Sequence, residues 1–105
     1  MKILLAEDMP FVLRHSFPGH EAHTVLWAGF KSLKNGELLK AAETAGYEVL
    51  LTVDQGIRYQ QNAAGRNIAV LVMRPRTNQL EDLLLLEPVL QAMQIIAPGA
   101  IVTVP

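Results

Sequence analysis

The sequence has no cysteine. That excludes disulfide staples, zinc–thiolate sites and thiol catalysis, and it fits a reducing compartment. It has no excess of charge: nine Lys and Arg stand against ten Asp and Glu, a formal net charge of −1. Binding to nucleic acid by bulk positive charge is therefore excluded. No apolar run is long enough to span a bilayer, since the richest, residues 83–97, is interrupted by Glu87 and Pro88. The opening Met-Lys-Ile-Leu-Leu meets Glu7 and Asp8 too soon to act as a signal peptide. Repeats, linkers and low-complexity stretches are absent as well. The expectation is a soluble, cytoplasmic protein.

What is present is a chain of 105 residues, half of them apolar and 18% charged. This composition is enough to bury a core, and the length is that of one domain, residues 1–105. Short apolar runs predict strands at residues 2–5, 22–26, 47–53, 68–73 and 101–104. Pro10 suits the first turn of a helix that Asp8 can cap, and Pro18-Gly19 ends it. Asn35 can cap a second helix carrying Glu37, Leu38, Leu39, Ala41, Ala42 and Ala45, which Gly46 stops. Residues 57–65 suit a short helix or turn. A long helix fits residues 79–96, kinked or broken at Pro88, with Pro98-Gly99 beyond it. The strand runs are continuously apolar and separated by helices. That pattern predicts a three-layer α/β domain, a mostly parallel sheet of four to five strands with helices on both faces.

In such sheets function gathers at the carboxyl ends of the strands. There the sequence places Glu7 and Asp8 after the first strand and Asp54 after the third, with Glu37 opening the intervening helix. Carboxylates brought together repel one another and raise one another's pKa unless a cation stands between them. Mg²⁺ and Mn²⁺ favour such oxygen ligands, and a bound ion of this kind can activate water. The structural alternative is that Asp8 and Glu37 are helix-start residues favoured by the macrodipole.

Other candidates carry weaker signals. His15, His20 and His23 lack a metal-ligand spacing, Ser16 and Ser32 lack a nucleophile motif, and the glycines form no phosphate loop. Trp27 and Phe30 can stack bases or pack into a core or interface. The polar stretch Arg58, Tyr59, Gln60, Gln61 and Asn62 follows Asp54. With Arg66, Arg74 and Arg76 it can meet phosphates, or form an ordinary solvated surface. The apolar half of so short a chain, with Trp27, Phe30 and residues 83–86 hard to bury in one core, predicts a homodimer or a small partner.

The opening MKILLAEDMP, with Glu7, Asp8 and Asp54, resembles a phosphoacceptor receiver domain, but the lysine such domains carry after their last strand is missing; the last lysine is Lys40. A resemblance over nearly the whole chain is carried by MKILLAEDMP, GHEAHTV (19–25), LKNGELL (33–39), VLLTVDQGIRYQQN (49–62) and IAVLVMRPRTNQLEDL (68–83). It is to the PIN-like family of small bacterial proteins, relatives of toxin-type PIN-domain ribonucleases. The resemblance implies a Rossmann-like sheet whose acidic edge binds Mg²⁺ or Mn²⁺. It further implies endoribonuclease activity, often as the toxin half of a toxin–antitoxin pair, with RNA and an antitoxin protein as partners. Carried over position by position, Glu7, Glu37 and Asp54 match the family's acidic positions, and with Asp8, which can partly replace a missing ligand, they are the expected metal and catalytic residues. On the nuclease reading, Arg58, Gln60, Gln61, Asn62 and Arg66, read from their own hydrogen-bonding and charge, are the expected RNA contacts. The family's Asp before the first Glu is Ala6 here, and Gly56 stands where a further acidic residue is common. These departures keep open a second function: a degenerate member that binds RNA or a protein without cutting.

Overall fold

A computed structural model describes residues 1–9, 11–33, 35–53, 66–73 and 87–104. The chain runs through β1 (Lys2–Leu5), a 3-10 helix (Phe11–His15), β2 (Glu21–Thr24) and α1 (Asn35–Thr44). It continues through β3 (Val49–Thr52), β4 (Ala69–Met73), α2 (Glu87–Met93) and β5 (Ile101–Val104). All five strands join one parallel sheet in the order β2-β1-β3-β4-β5. Registers include Leu4 opposite both His23 and Leu50, Leu51 opposite Leu71, and Leu71 opposite Val102.

The α/β class expected from continuous apolar runs is present. β3 and β4 are buried along their whole length, as strands covered on both sides must be. Residues alternate between two apolar clusters, because successive strand side chains point to opposite faces. Ile3, Leu5, Leu51 and Leu71 pack with Leu13 of the 3-10 helix and with Val89 and Met93 of α2. Leu4, Leu50, Val70 and Val72 pack with Leu38, Leu39 and Ala42 of α1. The sheet edges are more polar: β2 is exposed at Glu21 and half-buried beyond it, and β5 is exposed at Thr103. That polarity discourages pairing with another chain.

Turn chemistry follows the sequence closely. The Gly46 amide donates to the Glu43 carbonyl at 3.0 Å and the Tyr47 amide to the Ala42 carbonyl at 2.9 Å. Gly46 itself sits at φ 89°. This closes α1 in the left-handed cap that glycine favours. Pro18-Gly19 makes a tight turn, closed by the His20 amide on the Phe17 carbonyl at 3.0 Å. α2 is described over Glu87–Met93. Residues 79–86 of the expected longer helix lie outside the described residues, as do residues 57–65.

The main local difference lies between β1 and β2. The expected α-helix is a short 3-10 helix, and among the described residues the Asp8 carboxylate bonds to Thr52 and Val53 and not to that helix. The Asp8 carboxylate is engaged across the sheet instead.

Candidate functional site at the carboxyl edge

From β1 the chain moves outward to β2. It then returns past β1 to β3 and continues to β4 and β5. The direction reverses between β1 and β3, and in doubly wound sheets ligands bind outside the carboxyl ends of the strands at such a switch point. Asp8 occupies that place. Its Oδ2 accepts the Thr52 hydroxyl at 2.7 Å, and its Oδ1 accepts the Val53 amide at 3.3 Å. Thr52 is fully buried and is the polar member of the described core. A buried hydroxyl that ends an otherwise apolar strand needs a partner, and the carboxylate that follows β1 supplies it. The two strand ends are thereby tied, and the carboxylate is held beside the backbone that leads to Asp54.

Glu7 is exposed and lines a cavity of about 420 Å³ at the ends of β1 and β2, together with Ala6, Met9, Thr24, Val25, Leu26 and Lys31. Ala6 is 7% exposed, and its amide donates to the Leu51 carbonyl at 2.9 Å. The position where the family resemblance expects Asp is therefore packed into the core at the cavity wall. Glu37 lies in the first turn of α1, exposed, in a separate hollow with Phe30, Leu33 and Lys40. Among the described residues no three His, Asp or Glu side chains gather as a group that could hold a metal ion. Glu7, Asp8 and Glu37 thus do not form such a group by themselves. Asp54, Arg58, Gln60, Gln61 and Asn62 lie outside the described residues.

Arg66 stands elsewhere. It precedes β4, at the amino end of the sheet, with its Nη1 3.7 Å from Glu43 Oε1 of α1. The neighbouring Asn67 amide also donates to that carboxylate. The two contacts fasten the end of α1 to the start of β4, away from the edge that holds Asp8.

Behind the cavity the turn after β2 is braced by rings. His23 stacks on Trp27 with centroids 4.0 Å apart and planes 25° from parallel. His23 Nδ1 and the Tyr47 hydroxyl share a hydrogen bond of 2.9 Å. Burial, and after it the Glu21 carboxylate, push the Tyr47 phenol above its ordinary range, so Tyr47 is neutral and can donate that bond. Sequence reasoning missed Thr52 and Lys31. The signal for Thr52 was its place as the polar end of VLLT; Lys31 offered none.

No family model, curated protein or solved structure matches this chain. No helix among the described residues is long and apolar enough to cross a membrane.

Proposed function

We propose that this chain is a PIN-like, metal-dependent endoribonuclease, a three-layer domain with helices on both faces of its sheet. The observation that carries the reading is the anchored Asp8 carboxylate at the β1/β3 switch point. Each of its oxygens accepts one protein hydrogen, which leaves lone pairs for a cation. The donors are hard oxygens, the kind that Mg²⁺ and Mn²⁺ prefer. Glu7 is adjacent in the chain and lines the cavity. Asp54, two residues beyond Thr52, is the carboxylate that would complete the set, with Glu37 as a further acidic residue at the helix start. A bound Mg²⁺ or Mn²⁺ would supply an activated water for phosphodiester hydrolysis. The chain's own contribution is to hold Asp8 still, through Thr52 and Val53, and to offer Arg58, Gln60, Gln61 and Asn62 for RNA. Arg66, paired to Glu43 at the other end of the sheet, is not part of this reading. The resemblance to toxin-type relatives supports a cytoplasmic toxin, a homodimer that an antitoxin protein restrains.

A second reading has its own observation. Ala6 is buried at the position where the family resemblance expects a ligand, which favours a chain that binds RNA without cutting it. One assay separates the two: cleavage of single-stranded RNA by the purified protein with Mn²⁺, beside Asp54→Asn and Ala6→Asp. The nuclease reading expects cutting that EDTA and Asp54→Asn both abolish. Cutting only after Ala6→Asp, with a melt showing that variant folded, would make the natural chain a binder.

A further inference from the structure

The turn that follows β2 leaves the chain's single tryptophan in the open. Trp27 is 69% exposed and its neighbour Leu26 is 68% exposed, although burial of large apolar side chains is strongly favoured. Trp27 is nevertheless held in place. One ring face rests on His23, and its amide donates to the Thr24 hydroxyl at 3.0 Å. His23 is fixed in turn by the buried Tyr47, which packs edge-on against Phe30, with ring centroids 6.3 Å apart. An indole supported from beneath, with most of its surface free, is a flat platform.

Its setting indicates what the platform takes. Thr24, Val25 and Leu26, which lead into Trp27, are cavity-lining residues, and so is Lys31, beyond the turn. The cavity, about 420 Å³, falls within the size range of small-ligand sites, roughly 300–1,000 Å³. An exposed aromatic ring, next in the chain to a cavity wall that also carries a lysine, suits a nucleotide strand: bases stack on rings whatever their sequence, and the backbone meets lysine. We propose that Trp27 is a stacking platform for a base of single-stranded RNA, with the neighbouring phosphate carried by Lys31. This deepens the nuclease reading and rests on it, because it places the strand along the wall that Glu7 shares.

With one tryptophan in the chain, its emission reports on this position alone. The probe is a short oligoadenylate in EDTA, so that no cutting intervenes. The expected result is saturable quenching that inorganic polyphosphate of matched charge does not reproduce. Trp27→Ala should weaken binding of the labelled oligonucleotide about 5- to 150-fold, and Trp27→Phe should restore most of it. Lys31→Gln should weaken binding and flatten its salt dependence. Emission indifferent to the oligonucleotide, or Trp27→Ala binding as tightly as the natural chain, overturns the proposal. So does emission that tracks protein concentration without RNA, which would assign the ring to contact with a second copy. Stacking without Mn²⁺-dependent cutting defeats the nuclease reading and leaves the platform standing. Cutting that is unchanged in Trp27→Ala defeats the platform alone.

Discussion

Thr52 and Asp8 show how one pair of side chains links stability to function. A threonine at the end of a buried strand can satisfy its hydroxyl only through a partner that reaches it, and here the partner is a carboxylate from another strand's end. Hydrogen bonds to charged groups are worth more than neutral ones, but Asp8 is exposed and water competes for it. Thr52→Val keeps the shape and deletes the bond. The expected cost is about 1 kcal/mol, a fall in Tm of about 4–8 °C, accompanied by loss of metal-dependent cutting as Asp8 loses its orientation. Thr52→Ser should retain most of both. Thermal melts of the three proteins decide the matter: a Thr52→Val midpoint equal to the natural one would mean that the tie contributes nothing to the fold.

At the scale of elements, Gly46 carries the sharpest expectation. Its backbone is left-handed, and a Cβ there would meet only the end of Lys2, at 3.9 Å. The cost of Gly46→Ala is thus conformational and not steric, about 1 kcal/mol. Gly46→Asn should recover part of it, and urea midpoints for both variants measure the difference. The same cap explains why α1 was legible from sequence: the stop residue and the apolar spacing of Leu38, Leu39 and Ala42 point to one helix. β3 and β4 were legible because burial on both faces leaves continuous apolar runs. The segment between β1 and β2 was not, because local capping rules assign Asp8 to the helix that follows, while a long-range partner at Thr52 takes it. The acidic edge was legible as a set of strand ends. The distances among its carboxylates were not, since they depend on how loops leave the sheet. Arg66 looked like a phosphate contact by proximity in the sequence to other arginines; its pairing with Glu43 follows from the parallel register, which sequence spacing does not express.

For the molecule as a whole, the sheet order sets a gradient of protection. β1, β3 and β4 have a neighbour on both sides, while β2 and β5 are edges. Amide exchange should be slowest at Leu4, Leu50 and Leu71 and faster by orders of magnitude at Ala22 and Thr103. Equal rates across all five strands would contradict this gradient of protection. The order also bears on synthesis. A chain leaves the ribosome from its amino end, and here the central β1 is made before β4, and β4 before β5 (Ile101–Val104), which lies at the far edge. Until β5 emerges, β4 presents a backbone edge whose own five residues are all buried in the finished fold. Such an edge is a template for misplaced pairing between nascent chains. A chain cut short before residue 101 would therefore be adhesive, and β5 serves as the latch over that edge.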